Sequence, residues 1–435
     1  MSTTVTDTSA QTRARILMER CDILAGHSIE EGRITRPYGT PALNAARDEI
    51  NAWMQAAGMT THVDAIGNLI GRYEADPATA DTAAADAMAE PRTFVLGGHF
   101  DSVRDAGRYD GLLGVLTAIA AVERLNAAGK RLPLALEVIA FAEEEGLRYG
   151  TTFLTSSPLA GKWDPAWLSR QDSGGVTLEQ AIREASGDPA AVPGLVRSGE
   201  SLLGFLEVHI EQGPILQERG LPVAVVSGIT GSARAEITFT GMAGHAGTVP
   251  MRSRRDALAA AAEFVLEVER AGLSRDTLVA TVGQLVVEPG ATNVIAGRTT
   301  LSLDLRHPDP AVRSQTVGEI TEAANAIAGR RSVDVDWTDT GGFHETPSDK
   351  MLNRMLGEAI AEQGIEVLEV FSGAGHDAVS MAEIAPVTML FVRCKDGISH
   401  NPLESISTED VAVALKVLDG FIDRLPDAFL SQGRS

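Results

Sequence analysis

The sequence predicts an α/β protein. A larger domain with a central mixed, mostly parallel sheet flanked by helices is interrupted by an inserted domain of ferredoxin-like β-α-β-β-α-β order. Three observations predict it. Short apolar runs alternate with helical patterns on both flanks of the chain, the middle switches to a strand-helix pattern of its own, and acids and histidines cluster where the apolar runs end. A chain of 435 residues leaves room for two or three domains, and a 44% hydrophobic content can fill a substantial core.

Residues 1–10 read as a frayed tail, and the Ala/Asp-rich stretch 75–92, with Pro near both ends, reads as a surface loop between strands. Residues 93–98 (T-F-V-L-G-G) form a buried strand, 112–128 an apolar helix, 134–142 a second strand and 204–210 a third. Near the end, 386–393 is strand-like. The last helix, roughly 408–424, opens at Ser407 with Asp410 three residues on, a variant of the capping box. In the middle, 233–240 alternates as a strand, 255–271 is a helix, 278–287 and 298–306 are strands, 311–328 is a helix and 333–338 a short strand. This is the split βαβ order, so a separate domain is expected at 229–342, inserted into a domain that 11–228 and 343–435 build around it.

The charge balance, 37 basic against 59 acidic residues for a net −22, argues against nucleic acid and anionic membranes as partners. A small anionic substrate stays possible in a locally positive pocket. Cys21 and Cys394 are the only cysteines and cannot make a disulfide framework. The N-terminus lacks the basic and apolar regions of a secretory signal, and no run approaches the ~18 apolar residues of a membrane helix. A cytoplasmic protein is expected.

The chemistry lies at the strand ends. His99 and Asp101 form H-x-D at the C-terminal end of a strand, where open α/β sheets hold their ligands. Period-two alternation puts both on one side, so Asp101 can hydrogen-bond the far imidazole nitrogen of His99. Asp110 follows in a glycine-flanked loop. Glu143, Glu144 and Glu145 end an apolar strand, and three adjacent carboxylates repel unless cations or solvent relieve them. His209 and His400 stand in E-V-H-I-E-Q-G and I-S-H-N-P. Two borderline-hard divalent ions sharing one carboxylate want this mixture of imidazole and carboxylate. Singly each signal is weak: a lone His is more often a hydrogen-bonded structural residue, and a triple Glu a solvated turn. Their coincidence at strand ends raises the metal reading to equal standing.

The strings G-G-H-F-D-S-V-R-D-A-G-R-Y-D-G, A-F-A-E-E-E-G, E-V-H-I-E-Q-G-P, G-M-A-G-H-A-G-T-V-P-M, T-N-V-I-A-G-R…D-L-R, S-G-A-G-H-D-A and S-H-N-P-L-E resemble the M20 metallopeptidase-like amidohydrolases. The similar branch contains allantoate amidohydrolases, N-carbamoyl-L-amino-acid hydrolases and β-ureidopropionases, and the resemblance runs from about residue 40 to 425. It implies one metal held by His99, Asp110 and His209, and a second by Asp110, Glu145 and His400. Zinc or manganese would serve, and cobalt or nickel fit the same ligands. Glu144 would be the general base and then the acid, with Asp101 behind His99. His245 would stabilise the oxyanion from a neighbouring subunit, which implies a homodimer, with 229–342 as a lid or dimerisation domain and 11–228 with 343–435 as the catalytic domain. Gln212, Asn293 and Arg306 would hold the substrate, Arg306 by its carboxylate, and Gly375 and His376 would line the pocket.

Independent readings stand beside these roles. A planar guanidinium suits a bidentate grip on a carboxylate, and the lesser reading of Arg306 is a surface salt bridge with Asp304 or Asp309. His245 could be a turn histidine and Asn293 a turn cap. Leu147 and Phe100 depart from the commoner strings, where Ser and Ile or Leu are frequent, and bear on substrate preference rather than metal binding. The implied reaction is hydrolysis of a ureido (carbamoyl) C–N bond in a small carboxylate-bearing substrate, releasing ammonia and carbon dioxide. Allantoate is the leading substrate and an N-carbamoyl-L-amino acid the alternative. A catalytically silent dimeric binding protein is the rival from another class, and a broken ligand set would favour it.

Overall fold

The structure, a computed structural model, describes residues 9–80 and 91–430. Residues 1–8 of the expected tail and 81–90 of the expected loop lie outside the described residues. Ser9 and Ala10 are not part of a tail: the Ser9 hydroxyl accepts the Thr12 N–H at 3.3 Å and opens the helix Ala10–Ala25. The chain divides into two compact units, 1–227 with 348–435, and 228–347.

The first unit is built on a mixed sheet. Its strands lie in the order Thr60–Val63, Leu69–Tyr73, Ala135–Phe141, Thr93–His99, Leu202–Ile210, Val387–Val392 and Val223–Ile229, with Glu369–Ser372 also paired to the last. The four from Ala135–Phe141 to Val387–Val392 run parallel, while both margins are antiparallel. The expected "mostly parallel" sheet is therefore corrected: only its centre is parallel. The reason is local. Strands 60–63 and 69–73 are joined by a tight turn in which Asp64 Oδ1 accepts the N–H groups of Ile66 and Asn68 at 3.0 and 2.9 Å. A hairpin of that length can pair only antiparallel.

The central strands are buried along their whole length, as near-continuous apolar runs covered on both faces should be. The helix Leu112–Ala127 packs close to them because Gly114 has no side chain. A Cβ there would stand 2.6 Å from the Gly97 carbonyl and 2.7 Å from that of Val208. Its first turn thus starts directly after Asp110, above the strand ends. The last helix, Thr408–Leu430, opens as expected, with the Asp410 N–H on the Ser407 hydroxyl at 3.0 Å, and continues through Pro426. Among the described residues, three further helices of twelve or more residues were not anticipated: Ala10–Ala25 (16 residues), Pro41–Ala56 (16) and Lys350–Ala361 (12). Each carries a readable start signal, in Ser9, Thr40 before Pro41, and Asp349, all accepting first-turn N–H groups.

The second unit is an antiparallel sheet with two helices. Strands Leu285–Glu288, Arg298–His307, Gly231–Thr240 and Asp334–Gly341 lie in that order, with Val279–Thr281 on the same edge as 285–288. The single strand expected over 278–287 is two, interrupted where the Ser302 hydroxyl takes the Gln284 N–H at 3.0 Å. Helices Ala257–Leu273 and Pro310–Arg331, capped by Asp256 and Asp309, cover the sheet and close a core around Ile237, Phe239, Phe264, Leu303 and Ile320. Among the described residues no helix is long and apolar enough to cross a membrane.

Candidate metal centre

His99 ends its strand, and its Nδ1 lies 3.2 Å from Asp101 Oδ1. The Asp101 carboxylate also accepts the N–H groups of Glu144 and Glu145 at 3.1 and 3.2 Å. One buried acid therefore joins the end of strand 93–99 to the turn after 135–141 and orients His99. With Nδ1–H given to Asp101, His99 Nε2 carries the lone pair, and it faces Asp110 Oδ1 at 3.4 Å. His209 repeats the pattern: its Nδ1 donates to the Ile210 carbonyl at 2.9 Å, and its Nε2 faces the same Asp110 Oδ1 at 3.2 Å without hydrogen-bond alignment. On the other side of that carboxylate, His400 Nε2 lies 3.3 Å from Asp110 Oδ2 and 3.3 Å from Glu145 Oε1.

Imidazole lone pairs aimed at a carboxylate repel unless positive charge lies between them. Burial opposes the charged form of His99 and His209, yet the neighbouring carboxylates of Asp101 and Asp110 outweigh it and raise both pKa values. His400, bonded to Asp110 and Glu145, is raised to about 10. The cluster attracts cationic charge, and protons are one way to supply it. A metal ion is the other, and the spacing tests it. Two donors each about 2.0–2.1 Å from a tetrahedral ion lie roughly 3.3–3.4 Å apart. The N···O distances of 3.2–3.4 Å match. Donor atoms of His99, Asp110 and His209 fall within 4.8 Å of one another, as do those of Asp110, Glu145 and His400. The residues fit two ions sharing Asp110.

The three glutamates part company. Glu143 turns inward, where its Oε2 accepts the Tyr38 N–H at 3.2 Å. Glu145 faces His400, and Glu144 shares a group with His99 and Glu145. Burial drives the Glu144 carboxyl well above the usual range, opposed by the charge of His99 and reinforced by Glu145, Asp377 and Asp101. A cation beside it would lower it again. Gln212 Nε2 donates to Asp110 Oδ2 at 2.8 Å and reaches toward His400 Nε2 at 3.5 Å. Gln212 and His400 both hold positive φ, 57° and 54°, a conformation costing of order 1–3 kcal/mol that collects at functional sites.

His376 is buried, with Nε2 2.7 Å from the Ser372 hydroxyl and its ring edge-on to His209 at 4.5 Å. Burial, and the charge of His209 beside it, push the His376 imidazole well below its usual pKa. Gly375 lies against Phe153, whose ring a Cβ would meet at 2.5 Å. The sequence reading missed Ser399 and Glu404, both of which touch the Asp110 loop. The signal was present in S-H-N-P-L-E, an acid four residues past His400.

Three expected site residues belong to the second unit. His245 is exposed on the two-residue strand Gly244–His245, opposite Val294, and the Ala246 N–H bonds the Asn293 carbonyl at 3.0 Å, so His245 and Asn293 are brought side by side. Arg306 forks onto Asp304 at 2.8 and 2.9 Å, and Arg234 reaches the same acid at 3.0 Å. The salt bridge with Asp304 that the sequence left open is thus made.

Residues 91–424 match the peptidase family M20/M25/M40. The chain belongs to that family. It is 38% identical over 427 residues to a probable allantoate deiminase of Oryza sativa subsp. japonica, spanning 91% of this chain and 85% of the relative. It is 37% identical over 387 residues to an N-carbamoyl-L-amino acid amidohydrolase of Geobacillus stearothermophilus, spanning 89% and 92%. The crystal structure of an amidase of the hydantoinase/carbamoylase family from Burkholderia multivorans superposes with a TM-score of 0.84 at 33% identity, covering 95% of this chain and 98% of that one. Every clustered residue described above, from His99 to Glu404, falls inside the M20/M25/M40 match.

Proposed function

We propose that this M20/M25/M40 chain is an enzyme, an amidohydrolase with two divalent ions, zinc or manganese, that cleaves the ureido C–N bond of a small carboxylate-bearing substrate. The observation that carries the reading is the Asp110 carboxylate faced by three imidazole Nε2 atoms at 3.2–3.4 Å. His99, Asp110 and His209 would hold one ion and Asp110, Glu145 and His400 the other. When bound, such ions supply Lewis-acid charge and acidify a water molecule. Glu144 takes a proton from the water as it attacks the carbamoyl carbon, then returns it to the departing ammonia. The remaining carbamate loses carbon dioxide. Asp101 holds His99 in the tautomer that leaves Nε2 free to ligate.

The strand order of the second unit, with the interrupted strands Val279–Thr281 and Leu285–Glu288 together filling one edge position, supports a ferredoxin-like lid and dimerisation domain. Exposed His245 suits a residue that a neighbouring subunit offers to the oxyanion, which makes the working enzyme a homodimer. Gln212, Asn293 and Arg306 hold the substrate, Arg306 by sharing its fork between Asp304 and the substrate carboxylate, while Gly375 and His376 line the pocket. Two buried free thiols, Cys21 and Cys394, suit the reducing cytoplasm.

Allantoate is the leading substrate, because relatives named allantoate deiminase match most of the chain. An N-carbamoyl-L-amino acid is the second reading, favoured by the Geobacillus relative. The test is ammonia release from allantoate and a panel of N-carbamoyl amino acids by metal-reconstituted protein. Release from allantoate above the panel is expected. No release from any ureido acid sinks the proposal, and absence of bound metal favours a silent binding protein.

A further inference from the structure

We infer that Glu404 is a positioning residue which, through Ser399, fixes the orientation of Asp110 and the loop carrying His400. The inference rests on the two-ion reading and adds to it a residue that touches neither ion. Glu404 is 5% exposed and lies 294 residues along the chain from Asp110. Its Oε1 accepts two backbone N–H groups, from Tyr109 at 2.8 Å and Asp110 at 3.2 Å. The single Ser399 hydroxyl proton is shared between two carboxylates, Asp110 Oδ2 at 2.6 Å and Glu404 Oε2 at 3.1 Å, and so links them.

Asp110 is therefore gripped at two points by one acid, directly at its amide and through Ser399 at its carboxylate. Fixing both removes the freedom to rotate the side chain about its own Cα–Cβ bond. The rotation matters because Oδ1 must face His99 and His209 while Oδ2 faces His400. Ser399 also precedes His400, so the same hydroxyl ties the strained loop of His400 to the carboxylate it shares. Gly107 gives independent evidence of how tightly the acid is seated. A Cβ at Gly107 would lie 2.2 Å from Glu404 Cδ, although the backbone there is of an ordinary kind. The close approach exists to let Glu404 in.

The test is Mn2+ binding by calorimetry on the metal-stripped full chain, with kcat and KM measured on its ureido substrate. Glu404→Ala should weaken Mn2+ roughly 10–100-fold, the scale for partners of metal ligands, and lower kcat while KM holds. Gly107→Ala should do the same by pushing the acid out. Glu404→Gln should recover most of the affinity, since the amide keeps an acceptor for both N–H groups and offers a donor to Ser399. Unaltered Mn2+ affinity and kcat in Glu404→Ala, or in both Gly107→Ala and Ser399→Ala should the first variant not fold, overturns the inference alone. An equal loss in Glu404→Gln and Glu404→Ala also overturns it, by making charge the requirement. An unsubstituted chain that takes up neither Mn2+ nor Zn2+ overturns the two-ion reading and this inference together.

Discussion

The strand-end cluster of the first unit and the polar residues of the second differ in how their hydrogen-bonding capacity is met. In the first, His209 Nε2 is buried and makes no hydrogen bond, while three imidazoles converge on one carboxylate. In the second, Arg306 is answered by Asp304, and His245 stands exposed. The difference teaches where a missing ligand belongs. A buried donor set facing itself costs free energy until a cation fills it, whereas a paired guanidinium or a hydrated imidazole costs little.

The strongest way to break that contrast is to remove what the cluster is built for. Chelation should abolish turnover, and re-addition of Mn2+ or Zn2+ should restore it. Activity that survives thorough chelation, with metal content checked by mass spectrometry, would dissolve the distinction between the units. Asp110→Asn should then leave the chain unable to hold its full complement, read as metal per chain. Next, Glu144→Gln should retain both ions but lose roughly 10²–10⁴ in rate, the scale of general acid–base help. Unchanged turnover there removes Glu144 from the mechanism.

The second unit offers smaller effects. Arg306→Ala should raise KM for carboxylate-bearing substrates roughly 10–100-fold and spare neutral amides, as expected for a lost hydrogen bond to a charged group. Equal losses on both would leave Arg306 a structural partner of Asp304. The smallest effect is on stability. Burial alone pushes the Asp304 carboxyl up, and Arg306 and Arg234 outweigh it, so its pKa is lowered. The stabilisation is present above the ordinary carboxylate pKa and is lost as pH falls through the depressed value in the folded chain. The pair is partly exposed, so its removal should cost less than about 1 kcal/mol, and the gap in Tm between Arg306→Ala and the unsubstituted chain should narrow toward acid pH. A gap that widens instead would contradict the assigned direction.

How far the site was legible varies with range along the chain. Asp101 beside His99 could be read because it stands only two residues past it, just beyond the end of strand 93–99. Glu143 could not be told from its neighbours, since its partner is the Tyr38 N–H, 105 residues away. Arg306 was readable as a fork for a carboxylate, but which carboxylate depended on Asp304 lying within reach. The unanticipated helices Ala10–Ala25, Pro41–Ala56 and Lys350–Ala361 have weaker apolar runs than the central strands, though their caps were there to be seen.

By itself the sequence determined the periodic elements, the residue types at their ends and the family, because helical and strand periods are properties of neighbouring residues. Only the tertiary structure decided that the sheet turns antiparallel at its margins, that Asp110 stands between His99, His209 and His400, and that Glu404 seats beneath it. Those outcomes join segments as much as 295 residues apart. Contacts at that separation follow from how layers pack and which polar groups burial leaves unmet, which no local pattern encodes.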